Sequence, residues 1–145
     1  MNLLFICHAN VCRSFIAQEV AKKYLPNARV FSRGLYADPA LRVPQKVLHF
    51  LAEEHIFPLP HTATQLTPAD LEIADFVFCM EPQQLDALLD RYAQYTDKMW
   101  LLSDFAFGKE TALEDPISFE GRAFTKLAER VAKAAQAAAQ KVNNN

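Results

Sequence analysis

The sequence contains little glycine and little cysteine. Its three glycines, Gly34, Gly108 and Gly121, are too few for most of the turns, which must depend on Pro, Asp and Asn. The three cysteines lack the number and spacing of a disulfide framework, which argues against a disulfide-stabilised secreted domain and favours the reducing cytoplasm. The histidines are not spaced as metal ligands, so we expect neither a metal ion nor another cofactor.

Strong charge and long apolar runs are also missing. The formal net charge is −2, so no overall basic field points to nucleic acid or to an anionic membrane as a partner. The apolar runs are much shorter than the roughly 18 residues of a membrane-spanning helix. The first residues lack the positive charge of a signal peptide. We therefore expect a protein with no nucleic-acid or membrane partner.

What the sequence does contain is an alternation of strand and helix patterns. Hydrophobic residues make up 51% of the chain, enough for one domain with a sizeable core. Short apolar runs predict buried parallel strands at residues 3–7, 28–32, 76–80 and 99–102. Periodic apolar patterns and capping signals predict helices at residues 14–25, 44–54, 82–92 and 119–142, with a short helix starting after Thr67.

This alternation predicts an α/β fold. We expect a single three-layer domain over residues 1–142, with a four-stranded parallel sheet in strand order 2-1-3-4 and helices on both faces. Residues 143–145 are expected to form a frayed tail. In such folds ligands bind beyond the carboxyl ends of the strands. Cys7 lies at that end of the first predicted strand.

The segment Cys7–Ser14 joins this strand to the next predicted helix. The positive end of the helix dipole, the backbone N–H groups of the loop and the Arg13 guanidinium all favour a thiolate at Cys7 and an anion beside it. The thiolate is the nucleophilic form of cysteine, so the segment predicts a loop that binds and attacks a phosphoryl group. A Cys-x5-Arg spacing alone is weak evidence, because Cys7 would also fit as a small buried residue.

Within this segment, the pattern Cys7-x-x-Asn10-x-Cys12-Arg13-Ser14 resembles the signature of the low-molecular-weight protein tyrosine phosphatases. The resemblance continues in the same order along nearly the whole chain. It is carried by four further stretches: Phe31–Leu35, His61–Thr67, Asp75–Glu81 and Glu114–Pro116. It implies a phosphomonoester hydrolase, and within that class a protein tyrosine phosphatase.

The resemblance also implies the catalytic roles. Cys7 would attack the phosphorus and form a cysteinyl-phosphate intermediate. Asp115 would protonate the leaving oxygen and then act as base on the hydrolytic water. Arg13 would clamp the phosphoryl oxygens. The phosphate would be bound by the loop residues His8, Ala9, Asn10, Val11, Cys12, Arg13 and Ser14. The implied substrate is a phosphorylated protein or a small aryl phosphate, with inorganic phosphate as product and inhibitor.

Supporting roles follow from the same resemblance. Asn10 would fix the shape of the loop with help from Ser32 and His61. Ser14 would stabilise the Cys7 sulfur as a leaving group. Cys12 would trap an oxidised Cys7 as a reversible disulfide. We expect the protein to be a monomer or a weak dimer.

The chain departs from the family pattern at several positions. Ala9 stands where the family usually has glycine. If that position needs a positive φ, alanine would be strained by about 1–2 kcal/mol. Thr64 replaces an arginine, Phe15 replaces a proline and Arg33 replaces a small residue.

Substrate preference is expected to depend on the mouth of the site. The family usually carries an aromatic residue directly after the Asp-Pro pair, whereas Ile117-Ser118-Phe119 follows it here. Together with His8, these three residues form the expected specificity wall. Ile117 offers apolar contact without the roughly 0.5–1.5 kcal/mol of an aromatic pair.

Three other functions stay open at this point. A family arsenate reductase needs further cysteines, and no cysteine pair follows the strand end at Phe78–Glu81. A protein-arginine phosphatase resembles this chain but usually has threonine where Val11 stands. A non-catalytic phosphate-binding or interaction module is motivated by the substitutions at Ala9 and Thr64. It is opposed by the presence of the three catalytic side chains, Cys7, Arg13 and Asp115.

Overall fold

Four short strands form the centre of the computed structural model, which describes residues 1–144. They are β1 (Asn2–Cys7), β2 (Arg29–Gly34), β3 (Phe76–Cys79) and β4 (Met99–Leu101). These strands pair in parallel in the order β2-β1-β3-β4, which confirms the predicted topology. The carboxyl ends of β1 and β3 therefore lie side by side at one edge of the sheet.

Helices connect and flank the strands. Within residues 1–144 the α-helices are α1 (Arg13–Tyr24), α2 (Gln45–Glu53), α3 (Pro68–Ile73), α4 (Pro82–Arg91), α5 (Leu102–Phe107) and α6 (Gly121–Asn143). A short 3₁₀ segment, Ala93–Lys98, precedes β4. None of the helices in this part of the chain is both long enough and apolar enough to cross a membrane.

Helices cover both faces of the sheet, as predicted. Leu3 and Phe5 of β1 belong to a core that includes residues of α1 and α6, whereas Leu4 and Ile6 belong to a second core with residues of α3 and α4. Successive strand side chains point to opposite faces, so residues 3–6 of β1 must all be apolar to satisfy both cores. This is why its sequence is a continuous apolar run.

The long C-terminal helix packs with its alanine-rich face inward. Four alanines of this face, Ala134, Ala135, Ala138 and Ala139, are fully buried in the core shared with α1. Small side chains allow two helices to approach closely, so α6 can hold α1 against the sheet. This contact fixes the helix that begins at Arg13.

Several bounds differ from the predicted elements; β2, for example, ends at Gly34 and not at residue 32. β4 ends at Leu101, and the next residue begins α5, which the sequence did not predict. A helix of six residues is too short for its apolar period to be distinguished from a strand. α6 begins at Gly121 and not at residue 119. It extends to Asn143, the first residue of the predicted tail, and residue 145 lies outside the described part of the chain.

Gly34, the last residue of β2, lies where the chain leaves little space. It pairs with Cys7 in the parallel register of the sheet. A Cβ atom at this position would lie 3.0 Å from the His8 carbonyl oxygen and 3.1 Å from the Cβ atoms of Ala37 and Asn10. The absence of a side chain at Gly34 therefore lets the loop after β1 pack against the end of β2.

We expect the substitution Gly34→Ala to lower the free energy of unfolding by about 1–3 kcal/mol, because an added methyl group would overpack this contact. Urea denaturation followed by circular dichroism measures the change. Amide chemical shifts in the variant should change most at His8 and Asn10.

Gly108→Ala is the matched control. Nothing lies within 4 Å of a Cβ atom added there, but φ is 69°, so alanine costs only backbone strain. We expect a loss of about 1–2 kcal/mol with shift changes confined to the end of α5. A Gly34→Ala protein as stable as the wild type would contradict the crowding at β2.

Candidate active site

A small cavity lies where β1 passes into α1. Cys7 ends the strand and Arg13 begins the helix, and both are almost fully buried. The cavity has a volume of about 140 Å³ and is lined by Cys7, His8, Ala9, Val11, Cys12, Arg13, Asp115 and Ile117. It is much smaller than the roughly 300–1,000 Å³ of a drug-sized ligand pocket, so its size suits a small group such as a phosphoryl anion.

The backbone of Asn10 turns the chain between strand and helix. Its φ is 63°, in the left-handed region that asparagine tolerates better than most residues. Its N–H donates to the Cys7 Sγ atom at 3.3 Å, and its carbonyl accepts from His61 Nε2 at 2.8 Å. Burial lowers the pKa of His61, although its backbone partner acts in the opposite direction. A neutral His61 ring that carries its proton on Nε2 can donate this hydrogen bond to the Asn10 carbonyl.

The Asn10 side chain is equally engaged. Its Nδ2 donates to the hydroxyls of Ser14 and Ser32, each at 2.9 Å. Its Oδ1 accepts the backbone N–H of Thr64 at 2.9 Å. Because Asn10 is fully buried, these contacts matter: they give both the nitrogen and the oxygen of its amide a partner in place of water.

The Cys7 sulfur lies in a cluster of donors. Ser14 Oγ is 2.9 Å from Sγ, and either atom has the chemistry to donate. Because Ser14 Oγ already accepts from Asn10 Nδ2, its own proton is free to point at the sulfur. A thiolate at Cys7 would therefore accept hydrogen bonds from the Ser14 hydroxyl and from the Asn10 backbone.

The Arg13 guanidinium is held from three sides. Its Nη1 pairs with the Glu81 carboxylate and donates to the Leu113 carbonyl at 3.0 Å. Its Nη2 lies 3.5 Å from Asp115 Oδ2. A planar guanidinium with several fixed partners is pre-oriented, so it can present its remaining N–H groups to an anion in the cavity.

Asp115 approaches the cavity from a distant part of the chain. Its side chain is 41% exposed, and its Oδ1 accepts the Ile117 N–H at 3.1 Å. The second Asp-Pro pair of the sequence is elsewhere, with Asp38 Oδ1 accepting the Ala40 N–H in an exposed turn. Of the two aspartates, the structure thus brings only Asp115 to Cys7 and Arg13.

The other two cysteines differ in position. Cys12 lines the cavity, and burial raises its pKa to about 12, with the negative charges of Asp115 and Cys7 acting in the same direction. Burial alone raises the pKa of Cys79 to about 12. Cys79 lies in the core between β3 and the helices, as predicted. Within residues 1–144, no group of three His, Cys, Asp or Glu side chains is arranged to hold a metal ion.

The expected specificity wall is only partly present at the cavity. His8 and Ile117 line it, whereas Ser118 and Phe119 are not among the lining residues. The chain turns away after Ile117, because the Phe119 N–H donates back to the Pro116 carbonyl at 2.9 Å.

Two departures from the family pattern do not disturb the loop. The positive φ belongs to Asn10 and not to Ala9, so the strain considered for alanine is absent. Thr64 contacts Asn10 through its backbone N–H, which any residue but proline provides. The loss of an arginine side chain at Thr64 therefore leaves this hydrogen bond in place.

Two other departures gain contacts of their own. The Phe15 ring stacks on the His61 ring with centroids 4.4 Å apart. Arg33 Nε donates to Asp70 Oδ2 at 3.1 Å, and Asp70 also caps the start of α3. Phe15 thus supports the histidine that contacts Asn10, and Arg33 ties the end of β2 to α3.

Several residues of the site had no predicted role. Glu81 follows β3 and pairs with Arg13; an acidic residue at the carboxyl end of the neighbouring strand was the available signal. Gln18 accepts from Ser32 Oγ at 2.6 Å, one helical turn after Ser14. The Tyr36 ring lies tilted against the His8 ring with centroids 5.1 Å apart, and no pattern in the sequence pointed to it.

Comparison with known proteins identifies the family. A family model described as "Low molecular weight phosphotyrosine protein phosphatase" matches residues 2–145. A protein-arginine-phosphatase of Bacillus subtilis is 30% identical over 120 residues, which cover 80% of this chain and 79% of that protein. The low molecular weight protein-tyrosine-phosphatase PtpB of Staphylococcus haemolyticus is 32% identical over 116 residues, covering 80% and 81%.

A solved structure agrees with these sequence matches. The low molecular weight protein tyrosine phosphatase from T. tengcongensis superposes with a TM-score of 0.89 at 28% identity, over 97% of this chain and 99% of that one. The predicted signature from Cys7 to Ser14 and the matched fold lead to one assignment. The chain belongs to the low-molecular-weight phosphotyrosine protein phosphatase family.

Proposed function

We propose that the protein is a cysteine-dependent phosphomonoester hydrolase that removes phosphate from tyrosine side chains of proteins. The observation that carries this proposal is the convergence of Cys7, Arg13 and Asp115 on one cavity of about 140 Å³ at the start of α1. Family membership supports the same reaction class. The chain would work as one phosphatase domain over residues 1–142, in the cytoplasm, as a monomer or weak dimer.

In the first step the Cys7 sulfur attacks the phosphorus of the bound substrate. An S–P bond forms while the P–O bond to the tyrosine breaks. Asp115 gives its proton to the departing oxygen, so a neutral phenol leaves. The Arg13 guanidinium and the backbone N–H groups of the loop stabilise the charge that spreads over the phosphoryl oxygens.

In the second step water hydrolyses the cysteinyl phosphate. Asp115, now ionised, takes a proton from the attacking water, and the S–P bond breaks. The thiolate that leaves is met by the Ser14 hydroxyl at 2.9 Å and the Asn10 N–H at 3.3 Å. Inorganic phosphate is the product, and it should inhibit because it fits the same loop.

Cys12 would protect Cys7 against irreversible oxidation. If Cys7 were oxidised to a sulfenic acid, the Cys12 thiol would condense with it to form a disulfide and release water. Burial and nearby negative charge keep the pKa of Cys12 near 12, so Cys12 stays a thiol while Cys7 acts as the nucleophile.

The lining of the cavity favours an aromatic alcohol as leaving group. Val11 and Ile117 present apolar surface, and His8 is backed by the Tyr36 ring. These groups match the flat apolar ring of phosphotyrosine. A relative that is 32% identical is named a protein-tyrosine-phosphatase.

Phosphoarginine is the second candidate substrate, because a relative that is 30% identical is named a protein-arginine-phosphatase. A substrate guanidinium needs hydrogen-bond acceptors around it. Val11 supplies none, so the cavity lining offers a guanidinium few side-chain acceptors besides Asp115. The arsenate reductase alternative has less support, since Cys79 is fully buried and cannot relay a disulfide.

Single substitutions at the catalytic residues test the reaction. We expect Cys7→Ser to abolish hydrolysis of an aryl phosphate, because a serine hydroxyl ionises far less readily than a thiol and is a much weaker nucleophile. We expect Asp115→Asn to lower kcat by about 100-fold, the contribution of a positioned general acid. Steady-state assays of purified variants measure both. Activity that survives Cys7→Ser would remove Cys7 as nucleophile, and an inactive wild type would overturn the enzyme proposal.

Paired peptides test the substrate class. Two peptides of the same sequence, one carrying phosphotyrosine and one phosphoarginine, are compared by their kcat/KM values. We expect the phosphotyrosine peptide to be preferred by at least about tenfold, since the apolar lining contacts a ring and offers few acceptors to a guanidinium. A preference for phosphoarginine would replace the proposed substrate by the second candidate.

The substitution Ile117→Tyr tests the apolar wall. A ring at this position would stack on an aryl substrate, and an aromatic pair is worth about 0.5–1.5 kcal/mol, so KM should fall by about 2- to 12-fold. An alkyl phosphate serves as the control substrate and should show no gain. Ser118→Tyr serves as the control variant, because Ser118 does not line the cavity. An equal gain in both variants would contradict the proposal that residue 117, and not residue 118, contacts the substrate ring.

A further inference from the structure

Asp115 lies on a long segment without regular structure. Residues 108–120 connect α5 to α6 and contain no helix or strand. A general acid must stay within hydrogen-bond distance of the leaving oxygen, so this segment needs anchors outside itself.

The upstream anchor is Leu113. Its side chain is buried, and its N–H donates to the Met80 carbonyl at the end of β3, at 2.9 Å. Its carbonyl accepts from Arg13 Nη1 at 3.0 Å. The chain is thus fixed to the sheet two residues before Asp115.

The downstream anchor is the ammonium group of Lys46, the second residue of α2. Its Nζ donates to the carbonyls of Ile117 at 2.6 Å and Phe119 at 2.8 Å, and to Glu120 Oε1 at 2.9 Å. The three protons of an ammonium group suffice for these three acceptors. The same nitrogen lies 5.2 Å from the centre of the Phe124 ring in α6.

Ile117 links this anchor to the acid. Its carbonyl accepts from Lys46 Nζ, and its N–H donates to Asp115 Oδ1 at 3.1 Å. Lys46 therefore determines where the residue that orients the carboxylate can lie. The Asp115 side chain is 41% exposed, so much of its surface faces solvent and is not held by neighbouring side chains.

We propose that Lys46 is a positioning residue for the general acid, acting through the backbone of Ile117. The proposal rests on the function proposed above, in which Asp115 protonates the leaving oxygen. Lys46 does not line the cavity that contains Cys7. Its loss should therefore impair proton donation selectively and leave phosphate binding by the loop after β1 unchanged.

A series of aryl phosphates with different leaving groups tests this role. The ratio kcat/KM includes the departure of the phenol, and poor leaving groups need the proton most. For Lys46→Met we expect kcat/KM to fall about tenfold with phenyl phosphate, and less than about twofold with p-nitrophenyl phosphate. A Lys46→Arg variant, which keeps a charged multiple donor, should recover most of the loss with phenyl phosphate.

Lys98→Met is the matched control. Lys98 Nζ likewise donates to three carbonyls, those of Leu71 at 2.7 Å, Glu72 at 3.2 Å and Ala74 at 2.8 Å. These carbonyls lie just before β3, at the opposite end of the sheet from Cys7. We expect Lys98→Met to lower thermal stability without changing the dependence of kcat/KM on the leaving group.

The outcomes separate the two proposals. An equal loss with all leaving groups in Lys46→Met would overturn the positioning role and show a structural contact only. A steep dependence in Asp115→Asn with none in Lys46→Met would also overturn it, while leaving the proposed function intact. No steeper dependence in Asp115→Asn than in the wild type would instead overturn the acid role on which it rests. If Lys46→Met does not fold, Lys46→Gln is judged by the same criteria.

Discussion

The left-handed backbone of Asn10 is the constraint on which the site depends. With φ at 63°, Asn10 reverses the chain so that β1 can pass into α1 within a few residues. Its N–H, its carbonyl and both ends of its amide are hydrogen-bonded, to Cys7, His61, Ser14, Ser32 and Thr64. A conformation that costs free energy is therefore held by contacts that also place the sulfur.

These contacts continue beyond Asn10 as a buried chain. Ser32 donates to Gln18, and Gln18 donates to the Glu19 carboxylate, which pairs with Lys22 at the surface. Each buried polar group left without a partner would cost about 1–3 kcal/mol, so loss of any one member of this series of hydrogen bonds would destabilise the fold. These hydrogen bonds together fix the side-chain conformations of Asn10 and Ser14, and therefore the positions of the hydrogen-bond donors around Cys7.

The phosphate-binding half of the site, which is the segment from β1 to the start of α1, could be predicted from local sequence because its residues are neighbours in the chain. The apolar run of β1, the segment Cys7–Ser14 and the start of α1 are contiguous, and their order alone places a thiol at a helix N-terminus. Lys46 and Glu81 could not be predicted in this way, since their partners are residues 117–120 and Arg13. Asp115 came only from the family resemblance, because its segment has no apolar period.

The two halves of the site are therefore stabilised differently. The loop that would hold phosphate is fixed by buried hydrogen bonds. The segment carrying Asp115 is instead held at Leu113 and, through Lys46, at Ile117, and Asp115 itself is only half-buried. Contacts to backbone carbonyls do not depend on the side chains of the anchored residues. Ile117 can thus differ from the usual aromatic residue without loss of either anchor. Such an arrangement lets the substrate-facing side chains vary while the geometry of the acid and of the phosphate loop stays the same.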